Sequence, residues 1–322
     1  IGQNIAIIIL GLVSLFDLWS VNKRYLNNDN FIDKTFTENP FQTENSELLM
    51  QKVGDNKNLQ SLLANANINK TLETIAEKDK THYRIYNQVL GTFSETNTSY
   101  FKASIGGYHA VKLRRYDDLI NEYFGKMDSV KVPRILNMLN TKYMIFGDAE
   151  KPEAVTNPQS NGNAWFVSDL KFVKNPNEEI KQIGEVDTKK IAIISQDDQK
   201  YFEGKQIAAD STAFLNLTKY QPNELEFKSQ SKTPQLAVLS EIYYPKGWKM
   251  FIDNKEVPYI KANYLLRAVH VPAGNHTLKM IFAPEVIAKG KLISMICFGL
   301  FLLLSLGGIW YIFKQKKSRE IK

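Results

Sequence analysis

Leu292 to Phe313, LISMICFGLFLLLSLGGIWYIF, is a run of 22 residues without a charge. At about 1.5 Å per residue a helix over this run extends about 33 Å, enough to cross a hydrocarbon core of about 30 Å. Lys289 and Lys291 precede the run, and Lys314, Lys316, Lys317, Arg319 and Lys322 follow it. Trp310 and Tyr311 lie near its end, where aromatic rings favour the membrane interface. A second apolar run, Ile5 to Phe16, IAIIILGLVSLF, stops at Asp17. It has no basic leader and no small-residue cleavage site, so it does not read as a signal peptide. It reads as the C-terminal part of a transmembrane helix, which makes the chain a piece of a longer, multi-pass protein.

The net charge of +7 sits in the tail. The last nine residues hold five of the 41 cations and one of the 34 anions, and what remains, 36 against 33, is nearly balanced. That distribution gives no basic patch for nucleic acid. It does set orientation, because cationic flanks stay in the cytoplasm. Residues 314–322 are then a cytoplasmic tail, and the body from Asp17 to Gly290 lies outside the cell membrane. The body is long enough for about two folded domains. The single cysteine, Cys297, excludes an internal disulfide and reads as an apolar packing residue of the span.

Within the body, residues 17–210 suggest a mixed α/β unit. Asn45 to Gln60 and Leu59 to Ile75 read as helical, the latter with Leu62, Leu63, Ala66 and Leu72 at helical spacing. Tyr83 to Val89 alternates as a strand does, Tyr116 to Tyr123 reads as a helix, and Pro133 opens another. Tyr143 to Phe146, Trp165 to Val167 and Ile191 to Ile194 read as strands, and Asn177 to Ile183 as a short helix. Lys151 to Asn163 holds two Pro, one Gly and three Asn, and reads as a loop within this unit.

From Ser211 the pattern changes. FLNLTKY, ELEFKSQ, QLAVLSEIYY, WKMFIDNKEV, YLLRAVHV and HTLKMIFA alternate between turn signals, which predicts an antiparallel β-sandwich over 211–288. Asp253-Asn254 suits a two-residue hairpin turn with positive φ. The expected fold is thus an α+β extracytoplasmic region, a mixed α/β unit followed by an antiparallel β-sandwich. Transmembrane helices flank it at 1–16 and 291–313.

Chemistry is sparse. His82, His109, His270 and His276 have no Cys or carboxylate cluster beside them, so no metal site is read. Asp117-Asp118 follows Arg114-Arg115, but adjacent residues diverge by about 100° on a helix, which favours a surface salt-bridge patch over acid/base work. Ile105-Gly106-Gly107-Tyr108 lacks the spacing of a phosphate loop and reads as a turn. No nucleophile motif, catalytic residue or cofactor is assigned. The one positive is an aromatic group, Tyr243, Tyr244 and Trp248, beside Pro245 and Gly247. Such rings stack on sugars, and Asn263 and Arg267 would hydrogen-bond to hydroxyls or to a carrier phosphate. The competing reading makes Trp248 a core residue and Arg267 a cap on the sandwich edge.

These same residues carry a resemblance. Tyr243-Tyr244-Pro245-Lys246-Gly247-Trp248-Lys249, Ile252-Asp253-Asn254, Asn263, Leu266-Arg267-Ala268-Val269 and Val271 to His276 resemble the C-terminal signature of the bacterial YfhO membrane-protein family. Asp17-Leu18-Trp19, Asn22-Lys23-Arg24-Tyr25-Leu26, Leu136-Asn137 and Lys142 to Ile145 fit as well. Family members usually show Asp-Gly where this chain has Asp253-Asn254, a conservative departure because Asn tolerates positive φ. The resemblance implies a multi-pass protein similar to membrane glycosyltransferases that take sugar from a polyprenyl-phosphate carrier on the outer face. Some members are linked to glycosylation of lipoteichoic acid. It also implies a catalytic carboxylate in a first outer loop, beyond this sequence. The implied partners are the lipid bilayer, a polyprenyl-phosphate-linked sugar and a cell-surface glycan. Two function classes stay open: the acceptor-positioning part of such an enzyme, and a non-catalytic binding or assembly domain of an envelope or transport complex.

Overall fold

The computed structural model describes residues 2–25, 31, 34–44, 47–53, 60, 63–109, 111–126 and 128–320. Leu26, Asn45, Leu59, Leu62 and Lys322, on which parts of the sequence reading rest, lie outside the described residues. The chain divides into two units, one of Ile1–Ala110 with Tyr143–Asn157 and one of Val111–Lys142 with Pro158–Lys322.

In the first unit, α1 (Gly2–Tyr25) does not stop at Asp17. No Pro or Gly follows Asp17 before Tyr25, and Lys23 and Arg24 in the last turn complement the negative end of the helix dipole. Its apolar side chains from Ile5 to Trp19 are exposed, and the helix is long and apolar enough to cross a membrane. Short helices α2 (Lys34–Glu38) and α3 (Glu47–Val53) bury Phe36, Leu49 and Val53 together with Leu63. In α4 (Ala66–Lys78), Ile68, Leu72 and Ile75 recur at four- and three-residue intervals, so they share one face. That face packs with Tyr83, Ile85 and Ile145. Ile85 comes from β1 (Arg84–Asn87), which is followed by α5 (Asn97–Phe101). The sheet runs β1-β2-β3, with β2 (Thr141–Gly147) antiparallel to β3 (Pro152–Thr156). Strand β3 lies inside the stretch read as a loop. Its residues are mostly exposed, so no buried face imposes the alternation that reveals a strand, and its Pro occupies the first position of an edge strand.

The second unit begins with α6 (Arg114–Leu119), continued by a π-helical turn over Ile120–Phe124, and α7 (Lys131–Met138). Pro133 is the third residue of α7, within the first turn, where a missing N–H costs nothing. Strand β4 (Ala164–Val167) precedes β5 (Asp169–Val173), α8 (Pro176–Ile183) and β6 (Ile191–Ser195). β5 and β6 are parallel, as a crossover through a helix requires. Asn175 caps α8 by accepting from Glu178 N, and Pro176 takes the first helical position.

The rest is antiparallel. β7 (Phe214–Gln221), β8 (Glu224–Ser231), β10 (Trp248–Ile252), β11 (Lys255–Val257) and β14 (Gly274–Phe282) form one sheet in the order β11-β10-β14-β8-β7. β9 (Gln235–Ile242), β12 (Ile260–Ala262) and β13 (Leu266–Val271) join β4 in another, β12-β13-β9-β4. Leu225, Phe227, Met250, Leu278 and Met280 of the first sheet share a core with Ala164, Ala237, Leu239, Val269 and Val271 of the second. WKMFIDNKEV is the hairpin β10–β11, with Asp253 at φ 49° and Asn254 at φ 67° in its turn. Strand β4, read from sequence as part of the α/β unit, instead pairs with β9, Trp165 opposite Val238. A four-residue apolar run declares that it is buried and does not declare its partner. Helix α9 (Glu285–Glu320) follows β14 after Ala283-Pro284 and holds the charge-free run, with large apolar side chains such as Leu292, Phe301 and Trp310 exposed; it too is long enough to span.

Candidate functional site

Arg267, Val269 and Val271 share one face of β13, and that face looks into the shared core. Arg267 is only 3% exposed. Its Nε donates to the Ile242 carbonyl at 3.0 Å, and Nη1 lies 3.2 Å from Met280 Sδ. The β13–β9 register shifts between Leu266, opposite Ile242, and Arg267, opposite Leu239, which brings the Ile242 carbonyl within reach of the guanidinium. The guanidinium lies 4.4 Å from the Trp248 ring centroid, a cation–π stack that suits the weakly hydrated arginine. Trp248 also meets Phe282, 5.2 Å between centroids, and its carbonyl accepts from Tyr259. Tyr243 packs edge-on against Tyr259 at 5.6 Å. Burial pushes the Tyr243 and Tyr259 phenols up, and the Arg267 charge partly opposes this at Tyr259.

Three of the five sequence candidates, Tyr243, Trp248 and Arg267, therefore meet in one aromatic–cation cluster, with much of the Trp248 surface occupied by protein. Tyr244 is 39% exposed. Asn263 lies elsewhere. It is fully buried at φ 50°, donates N–H to Ile193 O and accepts Ile193 N–H on Oδ1, both at 2.8 Å. It pairs with β6 as a strand residue would, and its Nδ2 has no hydrogen-bond partner among the described residues.

Sequence reading missed a buried ionic cluster. Glu179 of α8 is 1% exposed and accepts from Lys261 Nζ at 2.7 and 2.8 Å, Arg115 Nη1 at 3.1 Å and Tyr264 N at 3.0 Å. Arg115 stacks on the Tyr264 ring at 4.6 Å, and the Tyr264 hydroxyl donates to Asp118 at 3.0 Å. Burial, reinforced by Asp118, pushes the Tyr264 phenol up to about 12, and burial lowers the Lys261 ammonium. Arg115 and Asp118, read as part of a surface patch, stay partly exposed and border this cluster. No signal in the spacing joins residues 115, 179 and 261. Of the histidines, His276 contacts Asp253 Oδ2 at 2.6 Å and the Ala273 carbonyl at 3.1 Å, and His270 contacts the Gln206 carbonyl. No group of three potential metal ligands occurs among the described residues.

The first unit carries a cavity of about 450 Å³. Its walls include Thr35, Asn39, Phe41, Glu44, Glu73 and Tyr100. Phe41 and Tyr100 stack at 4.5 Å, and Phe101 meets Tyr100 edge-on at 5.0 Å. Tyr100 is 55% exposed, so part of its ring faces solvent. Glu73 holds Lys70 at 3.0 Å and raises that ammonium. The sequence clue was an aromatic pair, Tyr100-Phe101, far in sequence from Phe41.

Compared with known families, residues 21–294 match the family described as "Bacterial membrane protein YfhO". Nothing matches among curated proteins or among solved structures.

Proposed function

Because the chain belongs to the YfhO family of bacterial membrane proteins, we propose that its folded body binds a sugar-bearing cell-envelope polymer outside the membrane. In this reading the body presents that polymer to a lipid-linked glycosyltransferase-like centre formed by other residues. The single observation behind it is the first unit's cavity. At about 450 Å³ it falls in the range of small-molecule sites. The exposed Tyr100 ring, backed by Phe41, offers a sugar an apolar face. Asn39, Thr35 and the Glu44 and Glu73 carboxylates offer hydrogen bonds around it. Lys70 pairs with Glu73 and Lys52 donates to Thr35, so the lining mixes both signs of charge and its polar groups suit the hydroxyls of a sugar. The apolar helices at both ends would hold the body against the membrane. A β-sandwich in the second unit, whose support is the core shared by two antiparallel sheets, would serve as its scaffold. Of the five residues read from sequence, Tyr244 keeps an exposed ring, while Arg267 would reach a carrier phosphate only by leaving its stack on Trp248.

The chain reconstituted in nanodiscs tests this. Neutral hexose-bearing polymers should be retained and poly(glycerol phosphate) without sugar should not. Tyr100→Ala should weaken retention about tenfold, equivalent to about 1.4 kcal/mol. Unchanged retention in Tyr100→Ala, or equal retention of the unglycosylated polymer, would refute it.

A further inference from the structure

The loop Tyr243–Gly247, between β9 and β10, is fastened to the segment that enters α9. Ala283 N donates to the Gly247 carbonyl at 2.7 Å. Gly247 has φ +106°, and a Cβ there would lie 2.8 Å from Pro284 Cβ and 2.9 Å from the Phe282 ring. Only glycine permits an approach this close. Pro284 is the residue before Glu285, where α9 begins. The loop therefore sits beside the root of the helix. It presents Tyr244, Pro245 and Lys246 to solvent. On α9 itself Val286 and Ile287 are 75% and 63% exposed. Lys246 and Lys291 carry no ion pair among the described residues, whereas Lys289 pairs with Glu285 at 3.2 Å.

From Glu285 to Leu292 an α-helix rises about 10 Å. Each headgroup layer is about 5–8 Å thick. Once Val286 and Ile287 are drawn toward the acyl boundary and Lys289 and Lys291 snorkel outward, the helix root stands at headgroup level. Whatever is fastened to the root stands there too. We propose that the Tyr243–Gly247 loop is a bilayer-surface contact, in which the Tyr244 ring enters the interface and Lys246, with Lys291, meets lipid phosphates. Tyrosine favours that depth, and juxtamembrane cations favour anionic lipid. Continuity with α9 selects the bilayer as the occupant. The inference rests on α9 crossing the membrane and not on sugar binding in the first unit.

The test uses the chain in nanodiscs, in a Cys297→Ser background, with single cysteines carrying an environment-sensitive fluorophore. The variants are Tyr244→Cys, Leu303→Cys within α9, and Ala273→Cys in the β13–β14 turn, at the end of β14 away from α9. A spin label at headgroup depth should quench position 244 and spare 273, while a mid-bilayer label should quench 303. Replacing about a third of the phosphatidylcholine by phosphatidylglycerol should raise quenching at 244 about twofold, and Lys246→Gln should abolish the rise. Quenching at 303 without quenching at 244 overturns the loop contact while leaving the span intact. No quenching at either position overturns the contact together with its premise.

Discussion

Glu179→Ala is the most revealing perturbation of the second unit. The wild-type carboxylate is 1% exposed and takes four hydrogen bonds, two from Lys261, one from Arg115 and one from Tyr264 N. Removing it strands two buried donors. The Lys261 side chain is 12% exposed, and Tyr264 is 4% exposed. The Arg115 side chain, at 36%, can rehydrate. Breaking a buried pair in this way costs about 3–5 kcal/mol. For a domain of this size each kcal/mol shifts Tm by about 2–4 °C, so a loss of about 10 °C is expected. Trp165 and Trp248 lie in this unit, and Trp165, with its indole bonded to Thr188 O, is 6% exposed, so tryptophan emission during melting reports on the right region. Lys261→Met alone should also destabilise, by stranding Glu179. The double variant should recover at least about 2 kcal/mol of the summed loss, because neither charge then remains. The pH dependence has a definite sign. Burial holds the Lys261 ammonium below its ordinary 10.5, so between the folded value and 10.5 the unfolded chain binds more protons. This residue's contribution therefore rises with pH through that window, and the rise should vanish in Lys261→Met. Additive single variants, or a Glu179→Ala loss below about 0.5 kcal/mol, would refute the buried-cluster account.

Further outcomes follow from other contacts. Partial burial opposes it, but Asp253 and the Ala273 carbonyl together hold the His276 imidazolium above its ordinary 6.5, while Thr277 N and then His276 hold Asp253 below 3.8. The histidine's contribution is complete below 6.5 and fades as pH rises through its folded value; the aspartate's is complete above 3.8 and fades as pH falls through its own. An NMR titration placing the His276 ring at or below 6.5 would contradict this. Trp248→Ala removes the stack on Arg267 and Phe282 and should cost about 2–4 kcal/mol, whereas Tyr244→Ala should stay within about 0.5 kcal/mol; equal effects in melting would show that Trp248 is not packed as described. Protease added to intact spheroplasts should degrade the body between α1 and α9, and full protection would reverse the proposed orientation.

Much of the second unit was legible because its strands obey simple periodicities. Leu225 and Phe227 alternate with polar neighbours, Leu236 to Leu239 is apolar throughout because β9 is buried on both faces, and Asp253-Asn254 announces its turn. α1 and α9 were legible from apolar length alone. β3 was hidden because its residues are exposed, and the pairing of β4 was hidden because burial does not name a partner. Of the aromatic candidates, Tyr243 and Trp248 meet through Tyr259 and Arg267, since strand parity places Arg267 on the core side. Asn263 was separated from them by a turn with two positive-φ residues, Asn263 and Tyr264, which no spacing rule foretold. The Glu179 cluster joins three distant segments, and such long-range polar contacts leave no periodic trace. Phe41 and Tyr100 came together for the same reason.

The interleaving of the two units dictates an order of events for the nascent chain. The sheet β1-β2-β3 is complete once Thr156 has been synthesised, whereas Val111–Lys142 emerges earlier and belongs to a unit that still lacks β9 and β14. Until those strands arrive, Ile135, Leu136 and Met138 have no finished interior to enter. During that interval the segment lacks its packing partners, and that is where a chaperone or a protease would act.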